Sequence, residues 1–178
     1  MKVSVWDLFV RTFHWSLVTL FAANALFVDD DGKLHLWIGY AIVVLVVLRI
    51  IWGFIGSPYA RFSSFPPSIK DSLDQVQEVF QRRVTVHKGH TPLGALMIYN
   101  LIISMLGIGL SGYLMTTDTF WGVEWPGIMH EVFVYWAEFC VLVHIAAVLF
   151  ESLRTRVNLP LSMITGNKKI PQDDGVDK

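Results

Sequence analysis

Four histidines, His14, His35, His130 and His144, stand in or beside long apolar runs of the chain, where ionisable side chains are otherwise sparse. His130 and His144 share one run, fourteen residues apart. On an α-helix that step is roughly 21 Å of rise, and it returns the second side chain to within about 40° of the first. Two imidazoles would then project from one helix face at two depths. Ligating side chains inside apolar membrane segments are rare and mark functional sites. A pair of neutral imidazoles on facing helices, with room between them for a flat macrocycle, is the arrangement that holds a haem iron from both sides.

The elements that must position these residues follow from composition. Of 178 residues, 53% are hydrophobic and 16% charged, against about 25% charge in ordinary soluble domains. The apolar residues gather over 13–28, 34–55, 93–115 and 128–150. The last three reach the ~20 residues needed to cross a ~30 Å hydrocarbon core. The first must extend back through 8–11, or leave Arg11 at the interface. The expected fold is an all-α integral membrane four-helix bundle in one domain, with spans at about 9–28, 34–55, 92–115 and 128–151.

Basic residues set the orientation. Thirteen of the fourteen lysines and arginines fall on the side that holds both termini and the 57–89 loop, and only Lys33 falls opposite. Both termini are therefore expected in the cytoplasm. A cleavable leader ending near Ala22-Ala23-Asn24-Ala25 is not expected, because His14, Trp15 and Asn24 interrupt its apolar segment. Within the 57–89 loop, Ser68 and Asp71 form a capping signal. After it Ile69, Leu73, Val76 and Phe80 recur at helical spacing. That predicts a helix over about 68–82, lying on the membrane surface or packed on the ends of the bundle. The tail beyond Pro171 is expected to be disordered.

Depth now pairs the histidines. His35 opens the second span and His130 the fourth, both at the outer face; His14 and His144 lie toward the inner one. The outer pair is His35 with His130, the inner pair His14 with His144, and each would ligate one haem iron. Gly39 sits one turn from His35 on the same face, where a missing side chain lets a porphyrin approach the backbone. Zinc is the rival ligand, but no Asp, Glu or Cys joins these histidines at tetrahedral spacing. Cys140 is the single cysteine, so a CxxCH attachment is excluded and the haems would be held by coordination and packing. Two haems stacked across a membrane carry electrons between its faces.

Other residues have two readings. His87 and His90 form a polar entrance to the third span, or His90 exchanges protons with a quinone beside the inner haem. Arg11, Lys33, Arg49 and Arg154 stand at levels suited to haem propionates, although positive-inside topology explains the arginines equally well. The glycines 94, 107, 109 and 112 suit close helix packing or a flat cofactor. Phe120, Trp121 and Trp125 suit an interfacial aromatic belt.

Phe13-His14-Trp15, His35 with Gly39, Arg49 followed by Trp52-Gly53-Phe54 and Ala60-Arg61-Phe62, Gly89-His90-Thr91-Pro92, and then His130 and His144 resemble the bacterial cytochrome b561 family over roughly residues 4–165. That family includes the cytochrome b subunits of membrane-bound nickel–iron hydrogenases. The resemblance implies a four-helix bundle with two b-type haems that exchanges electrons with quinones. It carries the ligand role onto His14, His35, His130 and His144. Thr91 stands where relatives often have Asn.

The expected function is an electron relay of a respiratory chain between the quinone pool and a periplasmic c-type cytochrome, steered by Asp29, Asp30, Asp31, Asp118 and Glu124 on the outer face. Alternatives are a membrane anchor for a periplasmic hydrogenase or dehydrogenase, a superoxide oxidase passing electrons to quinone, and, outside redox chemistry, a transporter or scaffold. No catalytic residue is singled out, and enzyme activity is left open. The expected partners are the lipid bilayer, a quinone or quinol and the c-type cytochrome. A homodimer is compatible with the chain, and nucleic acid is not expected as a partner.

Overall fold

A computed structural model of the protein describes residues 1–170. The tail read above as disordered lies outside the described residues. The elements, in order, are β1 (Lys2–Ser4), α1 (Leu8–Leu26), α2 (Lys33–Ile55), α3 (Ile69–Phe80), α4 (Pro92–Met115), α5 (Trp125–Thr155), α6 (Leu159–Thr165) and β2 (Asn167–Lys169), with short 3-10 turns at Phe62–Ser64 and Asp118–Phe120.

Local chemistry explains where the helices begin. The Asp7 carboxylate accepts from the Val10 N–H at 2.8 Å and caps α1. Ser68 caps α3 through the Asp71 N–H, and Thr91 caps α4 through the Gly94 N–H with Pro92 in the first turn. These side chains satisfy donors that the first helical turn leaves orphaned. Within α4, Ser104 and Ser111 return their hydroxyls to the carbonyls of Asn100 and Gly107, which keeps polar groups paired where no water reaches.

Three helices, α2, α4 and α5, are long and apolar enough to cross a membrane. The chain is thus a multi-pass membrane protein. Helix α1 has 19 residues, and Arg11, His14 and Asn24 lower its hydropathy, so it falls outside that set. Helix α5 is longer than the run that announced it. Its 31 residues extend to Trp125 at one end and Thr155 at the other, and at ~1.5 Å per residue it outreaches a ~30 Å core. Its polar last turns, with Glu151 and Arg154, project at the end of the bundle that carries the termini.

Helix α1 packs on α2, α2 on α4, and α4 most extensively on α5. Among the described residues, α5 makes little close backbone approach to α1 or α2, so the histidines on α1 and α2 look across an interhelical space toward those on α5. The core is Ile42, Val46, Met105 and Ala137, flanked by Leu17, Leu20, Phe21 and Ile102. Side chains such as Trp37, Tyr135 and Leu142 point outward, as lipid-facing residues do.

The termini end is closed by an assembly without a strong sequence signal. Strands β1 and β2 pair antiparallel, with Val3 opposite Lys168. Among the described residues the fold is therefore helical apart from one small two-stranded ribbon, too short to leave a detectable alternation. Val5, Trp6, Val10 and Ala60 form a second core beneath the ribbon. Helix α3 packs on α4, where Gln75 Oε1 accepts from the Leu93 N–H at 2.9 Å. Its buried face is polar, Ser72 and Gln75, whereas Ile69, Leu73 and Phe80 are exposed. That inverted amphipathicity suits a helix that meets the bundle on one side and lipid headgroups on the other.

Candidate cofactor sites

The best-defined constellation lies at the loop end, opposite the termini. His35, in the first turn of α2, and His130, in the second turn of α5, bring their ring centroids to 6.2 Å with the planes inclined at 63°. An imidazole bound to a metal at ~2 Å places its ring centre ~3 Å from the metal. Two imidazoles on opposite sides of one iron would thus stand about 6 Å apart, and the observed separation fits a shared metal.

The His130 ring is seated against α4. Its Nδ1 lies 3.0 Å from the Ile108 carbonyl oxygen and 3.2 Å from Ser111 Oγ. Gly112 makes this possible: a Cβ there would come 3.1 Å from His130 Cε1 and 3.3 Å from Nδ1. At Gly39, by contrast, an added Cβ would meet nothing within 4 Å. One turn beyond His35 there is bare backbone with open space before it.

The second constellation lies toward the termini end. His14 on α1 and His144 on α5 are close enough for their charges to interact. The Nδ1 of His14 is buried with no hydrogen-bond partner. A buried unpartnered nitrogen is costly unless something else engages the ring, so this site too has donors suited to a metal. Among the described residues, no three His, Cys, Asp or Glu side chains converge as a metal site. Paired imidazoles without a third or fourth protein ligand suit axial ligation of a macrocycle, not tetrahedral zinc.

The basic residues differ in their freedom to meet an acidic group. Arg49 is 3% exposed; Nη2 donates to the Ala60 carbonyl at 3.1 Å, while Nη1 is buried without a partner. Arg11 donates to the carbonyls of Asp7 and Ile164 and ties α1 to α6. Arg154 is committed to Glu151, with two bonds of 2.9 Å, and to the Arg83 carbonyl. Lys33 is exposed at the loop end.

His90 lies in an aromatic enclosure outside the helices. Phe65 and Trp6 stand over it at 4.1 and 4.7 Å between ring centroids. Burial, reinforced by the charges of Lys168 and Arg49, lowers its pKa to about 3, so the ring is neutral at ordinary pH. Lys168 is itself pushed down to about 8 by burial, and it donates to the carbonyls of His87 and Gly89.

Several of these groups escaped the sequence. Ser111 and the Ile108 carbonyl act through helix register, which pattern alone does not resolve. Asp30, whose carboxylate lies 3.9 Å from His35 Nδ1, was legible only as one of three consecutive acids. Glu138 is half-buried on α5 between His130 and His144, and an acid inside an apolar run is itself a signal. Asn100 is another, accepting from Trp136 Nε1 and donating to Cys140 Sγ across the α4–α5 seam.

Residues 5–166 match the family model described as prokaryotic cytochrome b561. No curated protein and no solved structure matches the chain.

Proposed function

The chain belongs to the prokaryotic cytochrome b561 family of membrane b-type electron-transfer proteins, and we propose that it carries two b haems as a relay across the bacterial inner membrane. In this reading α1 is the fourth span, both termini are cytoplasmic, and the loop end faces the periplasm. His35 and His130 hold the outer haem, His14 and His144 the inner one. The observation that carries the proposal is the 6.2 Å approach of His35 to His130; His144, one helical stretch deeper on the same α5, lies within electrostatic reach of His14.

Haem, when bound, supplies a one-electron carrier at each depth. The chain's own residues do the rest. The four imidazoles fix the irons, and the lipid-facing apolar shell excludes water. Gly39 leaves bare backbone for a porphyrin face. Arg49, with an unpartnered Nη1, is the buried cation best placed to receive a propionate. Arg11 and Arg154 support the bundle through the carbonyls and the carboxylate that they already bind. Lys33 is the remaining candidate at the outer level.

The inner partner is a quinone or quinol, received near His90. A neutral imidazole between Phe65 and Trp6 can exchange a hydrogen bond with a quinone oxygen while the rings flank its plane. The outer partner is a c-type cytochrome whose basic surface meets Asp29, Asp30, Asp31, Asp118 and Glu124. Purified protein should bind such a cytochrome with an affinity that falls as salt rises, and quinol or quinone should exchange electrons with its b-type bands. Failure of quinones to change those bands would refute the inner partner. Co-purification of a hydrogenase or dehydrogenase would replace the outer one, and rapid reduction of the bands by superoxide would replace the relay with an oxidase.

A further inference from the structure

We infer that Ser111 and the Ile108 carbonyl, acting through His130, hold the outer haem at a lower potential than the inner haem. This inference rests on the di-haem reading above and distinguishes its two haems.

The two ligand pairs have different surroundings. The Ser111 hydroxyl donates to the Gly107 carbonyl at 2.7 Å, which leaves its oxygen as an acceptor toward His130. With Ile108 O also facing it, His130 Nδ1 has acceptors on both approaches. The proton is therefore held on Nδ1, and Nε2 presents its lone pair to the metal. An imidazole whose N–H is drawn toward an acceptor is a stronger donor at its other nitrogen, and it stabilises the oxidised metal over the reduced one. Gly112 keeps this contact short, because any side chain there would lift the ring from α4. Asp30 adds negative charge 3.9 Å from His35 Nδ1, which favours the oxidised state further.

At the termini end these influences are absent. Among the described residues, His14 Nδ1 is buried without a hydrogen-bond partner, as His35 Nδ1 is, so the contrast between the pairs lies in His130. The buried cations of that end, Arg49 at 3% exposure and Lys168 at 4%, act on His90, and each has a carboxylate in reach, Asp7 and Glu151. Hydrogen bonding to His130 and the Asp30 charge therefore make the difference, and both act in one direction.

The test is a potentiometric titration of the purified holoprotein, followed in the b-type absorption bands. Wild-type protein should show two one-electron waves, and His130→Ala should abolish the lower one. Ser111→Ala should move the lower wave upward by a tenfold change in the oxidised-to-reduced ratio, ~59 mV for one electron, at full haem content and with the upper wave unmoved. Asp30→Asn, on the surface and safe for folding, should move the same wave upward by less. If His130→Ala removes the upper wave, or if neither Ser111→Ala nor Asp30→Asn shifts the lower one, the inference is overturned while the di-haem reading stands. A protein without b-type haem overturns both.

Discussion

Replacing Gly39 by alanine separates what the polypeptide needs from what the cofactor needs. In the protein alone, a Cβ at this position meets nothing within 4 Å, and an interior helical Gly→Ala change is worth about 1 kcal/mol in favour of the helix. The haem-free variant should therefore unfold no more easily than wild type, and by about that amount less easily. If the outer porphyrin lies against this backbone, the same methyl group intrudes on a packed contact at a cost of ~1–3 kcal/mol. That corresponds to roughly 5- to 150-fold weaker haem binding. Haem titration into the haem-free protein, read beside its denaturation midpoint, gives both numbers from one preparation. Gly112→Ala should behave differently, since its methyl presses directly on His130. A Gly39→Ala variant that kept wild-type affinity at both haem sites would refute the placement of the porphyrin over this turn of α2.

Asp7 joins α1 to α2 by capping Val10 and accepting from Trp52 Nε1 and Ser57 Oγ. Asp7→Ala should cost about 3 kcal/mol, from a lost cap and two stranded donors, measured by chemical denaturation in detergent. Burial raises the Asp7 carboxyl, but the hydrogen bonds from Ser57, Val10 and Trp52, with the Arg49 charge, outweigh it and hold the pKa below the usual 3.8. Its contribution is thus present above that value and lost as pH falls through the lower folded pKa. His90, lowered from 6.5 to about 3, binds its proton more readily in the unfolded chain. Stability should fall as pH drops from 6.5 toward 3, and His90→Phe should flatten that slope in a pH series of unfolding midpoints. Gly107→Ala would set a Cβ 2.7 Å from the Phe133 ring and should destabilise the α4–α5 seam by ~1–3 kcal/mol, whereas Gly127→Ala, with nothing within 4 Å, should be neutral.

Much of this architecture is written in local pattern. Long apolar runs announce α2, α4 and α5, and the capping pair at 68 and 71 announces the start of α3, because these signals depend on neighbours a few residues apart. The approach of His35 to His130 follows from rise per residue and the direction of each span. What sequence does not disclose depends on rotation about a helix axis or on distant pairing. Arg154 shares a level with the inner histidines yet folds back on Glu151 three residues away, because a carboxylate on the next turn outcompetes a longer reach. The ribbon of β1 with β2 joins segments more than 160 residues apart through three residues each, a length too short for periodicity to register. Ser111 faces His130 only because α4 and α5 settle in one relative rotation, and no composition or spacing fixes that angle.

The central claim, two haems held by two histidine pairs, is tested most directly by counting b-type haem per chain in the purified protein and its ligand variants. The account predicts two in the wild type, one in His130→Ala and one in His14→Ala, with b-type bands in the reduced-minus-oxidised spectra. A wild-type chain without haem, or a His130→Ala variant that still binds two, would contradict it.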